Sequence, residues 1–590
     1  MLLSFLIWGY IFIISFIYGF AFIKVISFLL KREYNIINEG CDIVSLAGIC
    51  LLIILLSFFS LFINVGVEVH FIILMSAVII ALKFRMQLKA IFINYILLLV
   101  NKNKFLKGIY FLIFMIGLFY AVIPIDDPDT AYYHAQIIQW IEKFKVVPGL
   151  GNINPVFGYN QSIYLVSAFF SFSFLGIEPF HLINPYLFLL LITRLTYLIF
   201  EKKENCFFAG AILVFFLFTF YHFVSSCGTD LPAYVFCTYI ILIFIQLNQN
   251  RFDLKLKNIL IFLFTIIVLT IKLSVLPIVI ISAFLTIKNI KKTRRKVKLI
   301  FFALLILILT PWITRNVILT GYLVYPLSSI DIFNVDWKIP NERVDIQKNF
   351  IKSWAIMPFE KEFPKKNSNN KSLSMLEWEE RVNKQYINLD FNQKVDNILK
   401  RNKSSKSSGY KIEFFMSILA CFTALFAPVF LGFKKKFTIV FTDVVLWGIY
   451  FFGIIYVVIF SPSYRFGCFF FLLSIICFVN ILIRGFFKTG LSYYIRKILF
   501  LGIIVFSTWI GLKNYTHIKT IGINQYPYYK IKTKAYENSN MVVRVPISLN
   551  FCCWNTMIPC VALPGDLKEF EFRGDDLGSG FRPKDNIKAN

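Results

Sequence analysis

Residues 123–155, IPIDDPDTAYYHAQIIQWIEKFKVVPGLGNINP, interrupt a chain that is otherwise oily. Three carboxylates, Asp126, Asp127 and Asp129, fall within four positions, directly after the apolar run Phe105 to Pro124, which is long enough to cross a bilayer. Charge is costly in hydrocarbon and cheap in water, so the acids belong just outside a membrane edge. The stretch sets the fold class, because a span must lead into it. It also sets the functional question, whether the acids cap a helix or do chemistry.

Working outward, the composition agrees. Of 590 residues, 58% are hydrophobic and 16% charged, whereas soluble domains carry roughly a quarter charged residues. The net charge of +28 sits mostly in short clusters between apolar runs, densest from Lys291 to Lys298. That is the positive-inside pattern, and it argues against nucleic acid as a partner.

Apolar spans run from Leu2 to Leu30, Ile43 to Val65, Phe71 to Leu82 and Phe105 to Pro124. Others run from Leu182 to Phe200, Phe207 to Ser225, Leu231 to Leu247, Ile259 to Ile271, Val275 to Ile287 and Leu299 to Ile318. The last are Phe414 to Leu431, Phe437 to Phe460, Phe466 to Ile483 and Ile498 to Leu512. The first reads as an uncleaved membrane helix. Ala90 to Val100 is short enough to lie in the interface. Two full crossings between Asn160 and Glu201 would put Lys202 and Lys203 on the wrong side, so Ile163 to Phe174 is expected to be interfacial or re-entrant.

The predicted fold is an all-α polytopic membrane protein with roughly 12–14 transmembrane helices. N-terminal helices fill 1–104. A core at 105–320 contains the first external loop, 125–161. An external loop domain spans 321–412, C-terminal helices 413–512, and a small α/β or β-rich external tail 513–590. In the loop domain, Ser374-Met375-Leu376-Glu377 has the form of a capping box leading into a helix through Arg381. Asn367–Lys371 and Asn402–Ser408 read as flexible. Eight of the eleven cysteines lie in or near apolar segments, where Cys behaves as a small hydrophobe. Cys552, Cys553 and Cys560 sit together in the tail, and Cys553 with Cys560 could close a loop, with Cys552 left over or pairing instead. No CxxC pair occurs, which argues against structural zinc.

Asp129-Thr130 precedes AYYHAQIIQWIEKF, which places Tyr133, Ile137, Ile141 and Phe144 on one face, as in an amphipathic helix lying on the membrane surface. One Asp suffices for an N-cap; three close together raise one another's pKa, as suits a base or a metal site. His134 is either a ligand to sugar or phosphate, or a histidine on the polar side of that helix. The glycines of VVPGLGNINP make a tight turn, or less simply a phosphate cradle. Asp230, in SSCGTDLPAY, lies at the mouth between two spans as a cap or a second site acid. Lys272 is a lone cation between apolar runs, and Arg315 and Arg465 stand near span ends. All three are membrane anchors or phosphate ligands. Trp554 either packs in the tail or stacks on sugar.

An external loop with clustered acids followed by a surface helix resembles the first external loop of GT-C glycosyltransferases, polytopic enzymes that use polyprenyl-phosphate-linked sugars. From about Phe105 to Pro583 the chain is also similar to a family of uncharacterised bacterial membrane proteins. In that family a D-T-x-x-Y-H segment leads to V-P-G-L-G-N, and CWNTMIPC and GFRP recur near the C-terminus. The GT-C resemblance implies a catalytic base at Asp129, with Asp127 as the alternative and Asp230 in support. It implies substrate binding by His134, Lys272, Arg315 and Arg465, and a divalent metal shared by Asp129 and Asp230 if one is used. The implied partners are membrane lipid, a polyprenyl-phosphate-linked sugar and a lipid-linked or cell-surface glycan acceptor at a bacterial inner membrane. The alternatives are a glycan polymerase or ligase, a transporter and a non-catalytic scaffold.

Overall fold

The computed structural model describes residues 2–34, 36–125, 127–202, 206–247, 254–289, 295–357, 374–390, 392–394, 396–397, 408–432, 441–486, 494, 497–502, 504–505, 508–509, 528–538, 541–547 and 552–584. Asp126, Asn367–Lys371 and residues 402–407 lie outside this set.

The chain is an all-α membrane protein with a small β-containing tail. Its helices, in order, begin with α1 Leu2–Leu30, α2 Cys41–Phe59, α3 Val67–Lys83, α4 Arg85–Val100 and α5 Lys104–Val122. Next come α6 Ala135–Lys143, α7 Ile163–Phe169, α8 Ile183–Tyr197, α9 Cys206–Thr219, α10 Asp230–Leu247 and α11 Leu254–Ile271. They continue with α12 Val279–Asn289, α13 Arg295–Thr320, α14 Asn341–Ile356, α15 Met375–Tyr386, α16 Ser408–Gly432, α17 Phe441–Phe460 and α18 Tyr464–Phe486. Among the described residues, eight helices are long and apolar enough to cross a membrane. The pair α3 and α4 would form one more span but is bent by 87°, so Ala90 to Val100 belongs to a full helix set at an angle. With only seven residues, α7 is about 10 Å long and cannot cross. The charge conflict around Lys202 disappears with it.

The bundle is held by close backbone approach. A Cβ on Gly19 of α1 would lie 1.8 Å from the Val44 carbonyl oxygen, and one on Gly48 of α2 1.7 Å from that of Ser15. Small residues that admit such contact are how helices associate in lipid, where burial of apolar surface gives no drive. Ser45 is hydrogen-bonded to Ser15 at 2.6 Å and to Tyr186 of α8 at 2.7 Å, stitching a third helix to the pair.

At one face of the bundle, α14 and α15 pack around Trp378, Val382, Tyr386 and Met357. The capping box forms: Glu377 N–H donates to Ser374 Oγ at 3.1 Å and Ser374 N–H to Glu377 Oε2 at 3.1 Å, and the helix continues past Arg381 to Tyr386. The tail makes two antiparallel ribbons, β1 Thr533–Asn538 with β2 Met541–Pro546, and β3 Phe570–Phe572 with β4 Phe581–Pro583. Cys553 and Cys560 are joined by a disulfide, and Cys552 is free.

Candidate functional site

The acids after α5 enter a short π-turn, Thr130–His134, that runs into α6. Asp127 takes most of the capping role, its Oδ1 accepting from Asp129 N–H at 3.3 Å and its Oδ2 from the Thr130 hydroxyl at 2.6 Å. Asp129 makes no side-chain cap bond. His134 Nδ1 lies 3.4 Å from Asp127 Oδ2 and 3.0 Å from Thr130 Oγ1. These three side chains are buried. His134 is therefore not on a solvent-facing side of the helix: the π-turn adds a residue to the turn and swings the ring inward, towards Tyr164 at 5.5 Å between ring centres. Burial works against the charge on Asp127. The hydrogen bond and charge of His134, the charge of Arg465 and the Thr130 hydroxyl outweigh it and hold the carboxyl well below its usual range.

The loop before α10 closes over this group. Asn184 of α8 donates to the carbonyls of Ser226 at 2.8 Å and Gly228 at 2.7 Å. A Cβ on Gly228 would stand 3.3 Å from Asp127 Oδ2, so glycine lets the backbone lie against the acid. The loop delivers Asp230 at the first turn of α10. There Asp230 Oδ2 accepts from Arg465 Nε at 2.8 Å, and Lys272 pairs with Oδ1. Arg465 reaches back with Nη1 to Asp129 Oδ2 at 2.6 Å. One guanidinium at the start of α18 thus joins acids from two loops. Lys272, at the end of α11, does not snorkel to the surface; it is buried against Asp230, 4.9 Å from the centre of the Phe466 ring.

Asp129, Asp127, His134, Asp230, Lys272 and Arg465 are brought together. Arg315 is not in the cluster: it bonds Asn160 Oδ1 at 2.9 Å and Ser60 Oγ at 2.6 Å in a neighbouring cleft. The donor set does not fit a shared divalent ion, because Asp129 and Asp230 already hold a cation of the chain between them. Among the described residues no group of three His, Cys, Asp or Glu could ligate a metal.

The tail forms a roof. Trp554 N–H donates to the Ala131 carbonyl at 2.8 Å, and Gln136 Nε2 donates to the carbonyls of Trp554 at 2.9 Å and Thr556 at 2.7 Å. Gln139 Oε1 accepts from Ile558 N–H at 2.9 Å. The polar face of α6 therefore carries the disulfide loop rather than water. Trp554 packs against Tyr529 at 4.9 Å between ring centres. The VPGLGN turn is also an internal joint: Gly149 has φ +65°, Phe581 N–H donates to the Pro148 carbonyl at 2.9 Å, and Asn152 Nδ2 to the Trp337 carbonyl at 2.8 Å. It cradles protein, not phosphate. Thr130, Asn184, Gly228 and Tyr164 escaped sequence reasoning; only Gly228, beside Asp230 in a polar break, left a signal.

A family model described as a domain of unknown function, DUF8201, matches residues 1–391, more than half of the chain. No curated protein and no solved structure matches the chain.

Proposed function

Because the chain belongs to the DUF8201 family, whose description assigns no activity, we propose from the site itself that it is an integral membrane glycosyltransferase of GT-C type. It would have roughly 12–14 crossings and work at the outer face of a bacterial inner membrane. The donor would be a sugar linked to polyprenyl phosphate, the acceptor a lipid-linked or cell-surface glycan. The observation that carries this reading is the meeting of Asp129, before the π-turn, with Asp230, Lys272 and Arg465 at the ends of α10, α11 and α18. A carboxylate open to water and two cations at a membrane edge suit a reaction between a lipid phosphate and a soluble hydroxyl.

In the proposed step, Asp129 takes the proton of the acceptor hydroxyl, whose oxygen bonds to the sugar's anomeric carbon. The bond from that carbon to the phosphate oxygen breaks, and polyprenyl phosphate leaves with the electron pair. One base and no covalent nucleophile gives inversion. Arg465 and Lys272 offset the charge developing on the leaving phosphate. Asp129 is tied to Arg465 before substrate arrives; an arriving phosphate that takes over the guanidinium would release the carboxylate to face the acceptor hydroxyl. Asp127 and His134 hold the turn that aims Asp129.

The test is transfer by purified protein from short-chain polyprenyl phosphate sugars to water or added glycan, followed by mass spectrometry. Turnover that is lost in Arg465→Gln and inhibited by free polyprenyl phosphate supports the reading. Failure of every such donor to bind or react would overturn it.

A further inference from the structure

Arg315 is 5% exposed and has no carboxylate partner among the described residues. Its Nε and Nη1 are taken by Asn160 and Ser60, both neutral, and its Nη2 bonds no described group. A buried cation without an anion is costly, and such charges near a membrane are ordinarily paired. Arg315 lines a cleft between α6 and the outer part of α13, with Lys145 exposed beside it and no acidic residue in the lining. Among the described residues, three further buried polar atoms of that lining lack hydrogen-bond partners: Trp140 Nε1, Gln161 Oε1 and Tyr164 Oη. Two of them are donors. The remaining walls are largely apolar, including Ile137, Ile141 and Leu319.

We infer that this cleft is an anion site, separate from the Arg465–Lys272 cluster, that takes the phosphate group of an anionic amphiphile. The chemistry is that of two cations and a free indole N–H beside an apolar wall. Arg315 supplies its free Nη2, Trp140 a neutral donor, and Lys145 the charge at the mouth. Arg315 lies five residues before the end of α13, about 7 Å along the axis, a depth suited to a headgroup. The cleft holds about 20 Å³, room for about one water, so one phosphate oxygen enters and the rest of the head sits by Lys145. Tyr164 separates this site from His134, and the inference does not depend on the glycosyltransferase reading.

The test uses the full chain in detergent, with thermal unfolding followed against inorganic phosphate, dioctanoyl phosphatidic acid and dioctanoyl phosphatidylcholine. Phosphatidic acid is expected to raise Tm in a concentration-dependent way and phosphatidylcholine to leave it unchanged. Arg315→Gln should abolish the shift. Lys145→Gln, at an exposed position that folding does not need, should weaken apparent affinity by about two- to fivefold, as expected of an exposed charge; it carries the test if Arg315→Gln does not fold. A shift with inorganic phosphate as well makes the headgroup alone sufficient, and a shift with the lipid only shows that the chain contributes; both support the site. The inference is overturned if neither anion shifts Tm, if phosphatidylcholine matches phosphatidic acid, or if Lys145→Gln binds as tightly as wild type. It also fails if the shift disappears in Arg465→Gln and survives in Arg315→Gln, a result that would leave the phosphate with the catalytic cluster.

Discussion

Replacing Asp230 by Asn should destabilise the protein far more than the same change at Asp129, although both acids hold one guanidinium. The Asp230 side chain is 3% exposed and that of Asp129 30%. Asp230→Asn leaves Lys272, buried and 9% exposed, without its anion, and leaves Arg465 with Asp129 alone. Removing one partner of a buried pair costs about 3–5 kcal/mol, because the other charge is stranded away from water. The Asp129–Arg465 pair is open to solvent on one side, and such pairs contribute about 0–1 kcal/mol. The two variants should therefore differ by roughly 3 kcal/mol. Adding Lys272→Met to Asp230→Asn removes the stranded cation and should recover much of the loss, since an apolar replacement of a buried pair is often neutral. Unfolding of the four proteins in one detergent gives the order: wild type and Asp129→Asn highest, the double variant next, Asp230→Asn lowest. Equal stability of Asp230→Asn and Asp129→Asn, or no recovery in the double variant, would refute this account of the cluster.

Gly48→Val should disrupt the α1–α2 contact, since its Cβ would meet the Ser15 carbonyl oxygen at 1.7 Å; a cost of about 1–3 kcal/mol or more is expected, read as loss of folded protein on size exclusion, while Gly108→Val, where the space is open, should be tolerated. Serine at both Cys553 and Cys560 opens a loop with a sequence separation of seven, worth about 2–3 kcal/mol of chain entropy, and limited proteolysis should then cut the tail faster. Burial first, then the charge of Asp566, pushes the Glu379 carboxyl from 4.5 up to about 8. Burial pushes Asp566 from 3.8 up to about 7, against the N–H groups of Met375 and Leu563. Raised acid pKa values mean that the stability these groups contribute is fully present below their unfolded values of 3.8 and 4.5 and is lost progressively as pH climbs from there to about 7 to 8, where the folded carboxyls ionise. Hydrogen exchange in α15 should accelerate over that interval, and Glu379→Gln should flatten the response.

The class of fold was legible because hydropathy over about twenty residues is a strong local signal. The capping box at Ser374 was legible for the same reason: its partners lie three residues apart. The short α7 could be inferred from Lys202, since charge placement constrains the number of crossings. The acids were found because carboxylates beside a span are conspicuous, and Lys272 and Arg465 because cations at span ends are, but which cation meets which acid was not legible. Arg465 and Asp230 are separated by 235 positions, and nothing local links a cation in SPSYRFG to an acid in SSCGTD. The polar-face reading of His134 failed because helical periodicity does not anticipate a π-turn, which shifts every following side chain by about 100°. The polar face of α6 suggested water because the sequence pattern does not distinguish solvent from a tail that returns more than 400 positions later. Arg315 shared the residue type and expected depth of the site cations, and only the packing shows that it occupies another cleft.

The central claim is glycosyl transfer with Asp129 as base, and it is tested most directly in cells. Lipid-linked sugars and surface glycan would be measured by mass spectrometry in a deletion strain, rescued by wild type or by Asp129→Asn at equal protein level. The account expects the deletion to lose one sugar from the glycan, wild type to restore it and Asp129→Asn to leave it missing. Full restoration by Asp129→Asn would contradict the base assignment, and an unchanged glycan in the deletion strain would contradict glycosyl transfer itself.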